Sequence, residues 1–248
     1  MDFPLISVIT VCFNAEKHIA RTIESVRQQD YPRIEYIVVD GGSTDDTVTV
    51  IRSYGSVISR LLSEKDRGLY DAMNKGLRLA TGDYVFFLNA DDTFYDAGVL
   101  RGMIAACPDA DAYYGEVLFV DEQDRELGLR SEQTPQRVPE RLSWKSLRTG
   151  MVVSHQGFLI RRSLAAAYDL RYKVCADVDW MIRCLKQCRS ACNTHLTVTR
   201  FRTGGTSKQR QRLAWKERYR ILQKHYGVLP NFFTHLFIVA RYIFSKKY

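Results

Sequence analysis

The chain has 248 residues, of which 46% are hydrophobic and 26% are charged, so it can bury a sizeable core in one domain, with or without a small appendage. Its formal net charge of +8 favours an anionic partner, and nucleic acid, phosphorylated small molecules and anionic lipid surfaces all meet that preference. No signal-peptide pattern opens the chain, and no uncharged run approaches the roughly 20 residues of a membrane-spanning helix, so we expect a cytoplasmic protein.

Strand and helix patterns alternate through the first half of the chain. Apolar runs predict strands at 5–13, 34–40, 57–62 and 84–88. Apolar residues at helical spacing predict helices at 15–29, 44–54 and 69–80. Asn14 is the expected N-cap of the first helix, and Thr81 with Gly82 is the expected C-cap of the third. This alternation predicts βαβ units, and hence an α/β fold with a parallel sheet.

The alternation weakens in the second half, after Asp92. Short apolar runs predict strands at 112–114, 117–120 and 156–160, and the polar stretch between them predicts a loop or hairpin at 121–141. Helices are predicted at 163–168, 178–187 and 210–226. We therefore expect a main domain at 1–206, with halves at 1–95 and 96–206, and a basic helical extension at 207–248.

The six cysteines are expected to be reduced thiols, since no secretory signal accompanies them. Cys184, Cys188 and Cys192 recur at helical spacing, and His195 follows closely. A metal cluster would explain this set, but small apolar residues on the inner face of one helix explain it more simply.

Two acidic clusters directly follow apolar strands, at 40–46 and 89–92. In an open α/β sheet, ligands bind in the crevice outside the carboxyl ends of the strands, which is where both clusters are expected. Asp40 with Gly41 and Gly42 forms a compact polar turn that can bind a base or ribose. Capping of the next helix would explain Ser43 to Asp45 but would leave Asp40 and the glycine pair unexplained.

The second cluster, Asn89-Ala90-Asp91-Asp92, places adjacent carboxylates where a divalent cation can meet a diphosphate. Mg²⁺ and Mn²⁺ prefer oxygen ligands and need only one or two carboxylates beside phosphates and water. The alternative is an Asp-rich turn or helix cap, and the presence of Asp40 favours the cation site.

Five segments together resemble family 2 glycosyltransferases of the GT-A fold, and their order and spacing match over about the first hundred residues. The segments are 7–14, 38–45, 74–76, 80–85 and 88–92. The run at 64–76, Glu-Lys-Asp-Arg-Gly-Leu-Tyr-Asp-Ala-Met-Asn-Lys-Gly, resembles the bacterial branch that assembles surface polysaccharides, including colanic-acid-type transferases.

The resemblance implies a nucleotide-sugar donor bound across the strand ends, with Mn²⁺ or Mg²⁺ on its diphosphate. The implied donor-binding residues are Thr10, Phe13, Asp40, Arg67, Asn89, Ala90 and Asp91. Asp91 and Asp92 are the implied metal ligands. The chain departs from the family at Asn89, where the usual acidic-x-acidic signature has its first carboxylate, and this departure weakens the expected metal affinity.

A second element of the resemblance is Cys175-Ala176-Asp177-Val178-Asp179-Trp180, which is similar to an Ala-Asp-x-Asp-Trp motif that carries the catalytic base. Inverting transfer needs a base for the proton of the acceptor hydroxyl, and Asp177 is that candidate. The alternative for Asp177 is an N-cap of the following helix. His155, Asp179 and Trp180 are the acceptor-side or auxiliary candidates. For His155, the acceptor site, a phosphate contact, the metal shell and a hydrogen-bonded histidine at a strand start all stay open.

The sequence thus predicts an inverting transferase that moves a hexose or N-acetylhexosamine, most simply from a UDP donor, to a saccharide acceptor carried on a polyprenyl diphosphate. The segment 203–207, followed by Lys208 and Arg210, is expected to be a mobile loop that folds over a diphosphate, or else a solvated basic loop. The aromatic and basic tail at 231–248 predicts peripheral contact with the inner face of the cytoplasmic membrane, or docking on the protein itself. A nucleotidyltransferase and a nonenzymatic nucleotide-binding module are the alternatives, and nucleic acid is not an expected partner of the enzyme.

Overall fold

A computed structural model of the protein describes residues 3–204, 210–232 and 234. These residues form one mixed sheet of nine strands. The strands are β1 (Ile6–Cys12), β2 (Ile34–Asp40), β3 (Arg60–Ser63), β4 (Tyr84–Phe87), β5 (Thr93–Phe94), β6 (Ala112–Val120), β7 (Glu126–Leu129), β8 (Phe158–Arg161) and β9 (Ala191–Arg202). The predicted α/β class is therefore confirmed.

Helices connect the strands and cover both faces of the sheet. The α-helices are α1 (Ile19–Arg27), α2 (Thr47–Ser53), α3 (Leu69–Leu79), α4 (Val99–Ala106), α5 (Arg130–Gln133), α6 (Ala176–Leu185) and α7 (Gln211–Tyr226). Short 3₁₀ helices lie at Gly55–Val57, Trp144–Thr149, His155–Gly157 and Arg162–Leu164. The predicted helices at 69–80, 178–187 and 210–226 are confirmed to within two residues at each end.

The strand order is β3-β2-β1-β4-β8-β6-β9-β5, and β7 pairs with β6. The first four strands are parallel, as the βαβ pattern predicts. β8 then runs antiparallel to both of its neighbours, β4 and β6. The chain leaves β1 for β2 on one side and later returns to β4 on the other, which creates the crevice that ligands use in sheets of this kind.

Two apolar cores lie on opposite faces of this sheet. Side chains of α3, α6 and α7 pack on one face, together with alternate residues of β1 and β2 such as Ile9 and Val39. Side chains of α1 and α4 pack on the other face against the intervening residues, such as Val8 and Val38. Burial on both faces explains why these strands read as continuous apolar runs.

The segment Asn74-Lys75-Gly76 connects α3 to Tyr168, to Lys65 and to β1. The Asn74 side chain donates to the carbonyl of Tyr168 (3.0 Å) and accepts from its N–H (2.7 Å). Lys75 donates to the carbonyl of Lys65 at 2.8 Å. A Cβ at Gly76 would lie 2.4 Å from Cγ2 of Ile9, so the glycine permits the close approach of α3 to β1.

Three local predictions in the first half and beside β8 are wrong. Asn14 does not cap α1, because the helix begins at Ile19 and Asn14 adopts a positive φ of 50° in the preceding turn. The backbone leaves α3 in an extended conformation at Ala80, and Gly82 instead allows close packing on β1, where a Cβ would lie 2.7 Å from Ser7 Oγ. Residues 163–168 form no α-helix, since the 3₁₀ helix ends at Leu164.

The second half contains elements that local patterns did not predict. β6 is one strand with register shifts near Gly115, and not two strands, because its bulge interrupts the apolar alternation. β9 and α4 were both missed. β9 carries polar residues on an exposed side, so its sequence lacks a clear apolar alternation. It also contains Cys192, whose spacing from Cys184 and Cys188 resembles that of a helix.

Cys107 and Cys192 form a disulfide that joins the end of α4 to β9, so the expectation of six reduced thiols is wrong. Only Cys184 of the helical set lies within α6, since Cys188 follows the helix and Cys192 lies in β9. Among the described residues, no cluster of three or more His, Cys, Asp or Glu side chains is placed to bind a metal. The single-helix interpretation of the cysteines is therefore also wrong.

The C-terminal part of the described chain packs on the main body. Ala214, Ile221 and Leu222 of α7 join the core that contains α6. Asn231 is buried and donates to the carbonyl of Tyr219 at 3.1 Å. No helix within residues 3–204, 210–232 and 234 is long and apolar enough to cross a membrane. The division at residue 206 stays a prediction, and residues 205–209 and most of the tail lie outside the described part.

Candidate active site

The strand register places both acidic clusters at one edge of the sheet. Cys12 at the end of β1 pairs with Asp40 at the end of β2. On the other side of β1, Ile9 pairs with Phe87, and the Leu88 N–H donates to the carbonyl of Ile9 at 3.0 Å. The segment that follows β4 therefore emerges beside the ends of β1 and β2, as predicted.

Asp40 is fully buried, and its carboxylate organises the turn that follows β2. It accepts from the N–H groups of Gly42 and Ser43, both at 3.1 Å, and from the hydroxyl of Ser43. The Ser63 hydroxyl at the end of β3 donates to it at 2.7 Å. These bonds satisfy the buried carboxylate. Gly42 has a positive φ of 84°, and a Cβ at Gly41 would lie 2.4 Å from Asp66 Oδ2, so the turn requires both glycines. Direct contact of Asp40 with a base stays a prediction.

The turns after β1 and β2 are joined by reciprocal hydrogen bonds. The Asn14 N–H donates to Ser43 Oγ (2.8 Å), and the Thr44 N–H donates to Asn14 Oδ1 (2.9 Å). Asp45 also accepts from the Thr47 N–H at 3.1 Å and so closes the turn into α2, whose N-cap residue is Asp46. The result is a rigid polar rim at this edge of the sheet.

Phe13 and Thr10 are both predicted to contact the donor, but they differ in exposure. The Phe13 side chain is 62% exposed at the end of β1, where its ring can stack on a base. Thr10 is fully buried and accepts a hydrogen bond from the Tyr36 hydroxyl at 3.1 Å. Thr10 therefore supports the sheet beneath the rim in this structure.

Asp91 and Asp92 are adjacent in sequence but have different environments. Asp91 is exposed, whereas Asp92 is fully buried. Asp92 accepts from the backbone N–H of Arg202 at 3.0 Å and so ties the end of β4 to the end of β9. Burial, followed by repulsion from Asp91, raises the pKa of the Asp92 carboxyl well above its ordinary value.

The atoms around Asp91 suit a hard divalent cation. Two buried oxygens of the same turn, Asn89 Oδ1 and Asp92 Oδ2, have no hydrogen-bond partner. All three side chains offer oxygen donors, and such a cation takes its remaining ligands from phosphate and water. Ala90 is buried between them. The donor set therefore fits Mg²⁺ or Mn²⁺, with Asp91 as the carboxylate that faces solvent.

Asp177 is partly buried in the first turn of α6. The N-cap is Cys175 and Asp177 is the second helical residue, so the N-cap interpretation of Asp177 is wrong. The Tyr70 hydroxyl of α3 lies 3.2 Å from Asp177 Oδ1, and the N–H of Val178 donates to the same oxygen at 3.0 Å. Burial raises the pKa of Asp177, although Val178, Tyr70 and Arg218 act in the opposite direction.

A raised pKa suits a general base, because a base is most effective when its pKa approaches the working pH. Tyr70 itself remains protonated, since burial raises the pKa of its hydroxyl well above the ordinary value. The arrangement can therefore accept a proton on Asp177 and stabilise it through a neighbouring hydroxyl.

An open basic groove lies beside these two helices. It is lined by Arg67, Asp169, Leu170, Arg171 and Lys173. Arg67 precedes α3 and its exposed guanidinium contacts Asp71 at 3.2 Å, whereas the other residues precede α6. The walls of the groove therefore lead to the two helices that carry Tyr70 and Asp177.

His155 and Trp180 are core residues. His155 is buried, lies 2.6 Å from the Tyr168 hydroxyl and contacts the rings of Phe87 and Trp180. Burial lowers the pKa of His155 to about 4, so it is neutral at pH 7. The structure shows the hydrogen-bonded histidine, while a role of His155 at the acceptor, a phosphate or the metal stays a prediction. Trp180 is 1% exposed and donates to the carbonyl of Ala166 at 2.5 Å.

Asp179 joins α6 to α7 and is fully buried. It contacts Arg183 at 2.6 Å, His225 at 2.8 Å and Lys224 at 3.0 Å. Burial alone would raise the pKa of Asp179, but the hydrogen bonds from these three side chains hold it well below the ordinary value. In this structure it is an anchor for α7, and a role at the acceptor stays a prediction.

The structure thus brings Phe13, Asp40 and Asp91 to one sheet edge and joins Asp177 to α3. Sequence reasoning missed the residues that support them, chiefly Tyr70, Ser63 and Glu217. Tyr70 lies inside the motif at 64–76, which was a usable signal. No sequence motif around Glu217 indicates its contact with the segment before α6.

Comparison with known proteins gives a consistent family match. The model of the family described as "Glycosyl transferase family 2" matches residues 7–168. An uncharacterized glycosyltransferase of Mycobacterium tuberculosis is 36% identical over 214 residues, which cover 84% of this chain and 79% of that protein. A PGL/p-HBAD biosynthesis glycosyltransferase of Mycobacterium bovis is 33% identical over 193 residues, or 74% of this chain and 71% of that protein. Neither name denotes a colanic-acid-type enzyme.

Solved structures share the fold. TarS of S. aureus, solved with UDP-GlcNAc, superposes with a TM-score of 0.72 at 17% identity, over 98% of this chain and 74% of that one. The mannosyltransferase PcManGT from Pyrobaculum calidifontis, solved with GDP-Man and Mn²⁺, gives 0.66 at 19% identity, over 99% and 71% of the two chains. The predicted GT-A fold is confirmed.

Proposed function

Because the chain belongs to glycosyl transferase family 2, we propose that it inverts the anomeric centre of a sugar that it moves from UDP-hexose or UDP-N-acetylhexosamine to a saccharide acceptor. It is a nucleotide-sugar-dependent glycosyltransferase of glycoconjugate or polysaccharide biosynthesis. The observation that carries the inverting mechanism is the partly buried Asp177 carboxylate, which adjoins Tyr70 and the basic groove.

In this mechanism Asp177 removes the proton of the acceptor hydroxyl while that oxygen attacks the anomeric carbon from the face opposite the leaving diphosphate. The Tyr70 hydroxyl lies close enough to share the proton that Asp177 gains. Phe13 would stack on the base of the donor, and Asp91 with Asn89 would hold the cation. A bound Mn²⁺ or Mg²⁺ supplies positive charge to the diphosphate as it leaves.

We further propose that the acceptor carries phosphate, as a polyprenyl-diphosphate-linked saccharide does. The groove beside α3 and α6 presents three cationic side chains, Lys173 together with Arg67 and Arg171, which also contact Asp71 at 3.2 Å and Asp169 at 2.6 Å. An anionic group in this groove would lie next to the helix that carries Asp177. The Arg67 guanidinium could instead contact the nucleotide, as the family resemblance implies, and donor affinity of an Arg67→Ala variant distinguishes these uses.

The transfer reaction is tested with purified protein, a panel of nucleotide sugars and a saccharide-lipid acceptor extract, with and without Mn²⁺. We expect one UDP-sugar to be consumed and UDP to be released, and Asp177→Asn to lower turnover by about 100-fold or more. Release of pyrophosphate in place of a nucleoside diphosphate would instead identify a nucleotidyltransferase.

A pair of variants tests the metal ligand. Asp91→Asn removes the exposed carboxylate, so we expect the Mn²⁺ concentration for half-maximal activity to rise about tenfold or more. Asp92→Asn is the matched control, because the amide resembles the protonated form that burial favours at this position. An unchanged Mn²⁺ requirement in Asp91→Asn, or a large rise in Asp92→Asn alone, would contradict the choice of Asp91.

We propose that the enzyme binds to the inner face of the cytoplasmic membrane. The tail at 231–248 contains aromatic and basic residues, and Leu229, just before it, and Phe232, at its start, are 72% and 56% exposed. Aromatic and basic side chains together favour binding to an anionic membrane surface. A colanic-acid-type polymer as the product stays a prediction from the motif at 64–76.

A further inference from the structure

Glu217 of α7 is a buried carboxylate that accepts three consecutive backbone N–H groups. It is 4% exposed. Its oxygens lie 2.7 Å from the N–H of Lys173 and 2.9 Å from those of Val174 and Cys175. These residues lead directly into α6, which Cys175 caps. A buried carboxylate with this many charge-assisted bonds holds the segment firmly.

The segment that Glu217 holds, residues 173–175, also contacts Tyr70, which lies beside Asp177. The Tyr70 hydroxyl lies 2.7 Å from the carbonyl of Val174 and 3.2 Å from Asp177 Oδ1. One hydroxyl hydrogen cannot serve both acceptors fully, so the position of the Val174 peptide decides how Tyr70 divides its hydrogen bond. Val174 is thus held by Glu217 at its N–H and by Tyr70 at its carbonyl.

We propose that Glu217 is a positioning residue for the reaction: by holding residues 173–175 it fixes the Val174 carbonyl, the Tyr70 hydroxyl and thereby the orientation of Asp177. This inference rests on the proposed role of Asp177 as the base. When Asp177 is ionised, Tyr70 divides its hydrogen bond between Asp177 Oδ1 and the carbonyl of Val174. When Asp177 has gained the proton, it donates to the Tyr70 oxygen, and the Tyr70 hydrogen is donated to the Val174 carbonyl alone.

The other groups around Asp177 define what a change at Glu217 would alter. Tyr70 faces it from α3, Arg218 faces it from α7, and Cys175 and Tyr168 lie nearby in the segment before α6. Substitution of Glu217 by a neutral residue removes one negative charge from this region and admits water to the loosened segment. Both effects lower the pKa of Asp177, because both favour its ionised form.

Glu217→Gln is the test variant, and Ile221→Ala is its matched control. Glutamine keeps the length of the side chain but has one acceptor oxygen, so it cannot hold all three N–H groups. Ile221 is fully buried on the same helix and belongs to the apolar core, so its truncation loosens α7 without removing a bond to 173–175. The measurements are kcat and KM for the UDP-sugar donor, the pH profile of kcat and the thermal midpoint.

For Glu217→Gln we expect kcat to fall about tenfold or more, donor KM to stay within about twofold, and the acid limb of the kcat profile to move to lower pH. Ile221→Ala should lose thermal stability but keep the acid limb of the wild type. The inference is overturned if Glu217→Gln has the wild-type kcat and pH profile, or if Ile221→Ala reproduces both changes.

The failure of this inference is distinguishable from failure of the proposed function. If Asp177→Asn abolishes transfer and Glu217→Gln leaves kcat and its pH profile unchanged, Asp177 is the base and Glu217 has a structural role alone. If Asp177→Asn keeps full transfer activity, the proposed base is wrong and the inference fails with it.

Discussion

Asp177 and Asp179 lie two residues apart on α6, yet their environments shift their acidities in opposite directions. Burial raises the pKa of Asp177, whereas Arg183, Lys224 and His225 hold that of Asp179 well below its ordinary value. The ionised Asp177 carboxylate therefore lowers the free energy of unfolding, whereas the ionised Asp179 carboxylate raises it. Such a cost is expected of a group retained for catalysis.

At the residue scale, Asp177→Asn should raise the thermal midpoint at pH 7 while it abolishes transfer. A carboxyl with a raised folded pKa contributes stability below its unfolded pKa and loses it as pH rises through the folded pKa. The gain of Asp177→Asn over wild type should therefore grow from acid pH to pH 7. In a protein of this size, relief of about 1 kcal/mol raises the midpoint by about 2–4 °C.

Asp179→Asn is the control with the opposite sign. A lowered folded pKa gives stability that is present above the unfolded pKa and is lost as pH falls through the folded value. Asparagine removes the buried charge and weakens the bonds to Arg183, Lys224 and His225, which costs about 1–3 kcal/mol at pH 7. Equal midpoints for the two variants in thermal unfolding at pH 7 would contradict the assignment.

At the scale of elements, α3 connects the two halves of the candidate site. Its N-terminal end follows Arg67, and Tyr70 in its first turn contacts Asp177. Its later residues lie directly on β1, where Gly76 leaves no room for a side chain. The distance between the sheet edge and Asp177 therefore depends on how closely this helix packs.

Gly76→Ala should destabilise the protein by about 1–3 kcal/mol, because the added Cβ would overlap Cγ2 of the buried Ile9. Gly102→Ala in α4 is the matched control, since its Cβ would meet the end of the flexible Leu196 side chain at 2.8 Å. Alanine also has the better helix propensity there. Chemical denaturation checks both, and equal midpoints for the two variants would refute the packing argument.

At the scale of the whole molecule, the described residues form a body in which α7 is anchored to α6 and to the segment that precedes it. Asn231 and Thr234, at the start of the tail, contact this body: Asn231 donates to Tyr219, and Thr234 accepts from Arg148 Nε at 3.2 Å. Leu229 and Phe232 lie largely exposed beside these contacts. A deletion that begins at residue 235 keeps both Asn231 and Thr234.

Deletion of residues 235–248 should weaken binding to anionic vesicles while donor binding is retained. Basic residues near a membrane each contribute about 1 kcal/mol, so the difference should shrink as salt is raised. Cosedimentation with vesicles of phosphatidylglycerol, and with neutral vesicles as control, measures the effect. Equal sedimentation of the full chain and the deleted chain would rule out the tail as the anchor.

The sequence by itself determined the parallel half of the sheet, the edge at which Asp40 and Asp91 emerge, and the family. These features depend on residues close together in the chain, such as continuous apolar runs that end in acidic turns. It also singled out Asp177, although through a motif and not through its environment.

Only the tertiary structure decided which polar residues face solvent and which support the fold. Asp92, His155 and Asp179 are site candidates in the sequence, and the structure buries all three; the partners of Asp179 on α7 lie more than forty residues away. The same holds for Glu217 and for the bond between Cys107 and Cys192, separated by 85 residues. The physical reason is that burial and hydrogen bonding depend on residues that are distant in sequence and meet only when the chain folds. Local sequence patterns do not indicate which distant residues will meet.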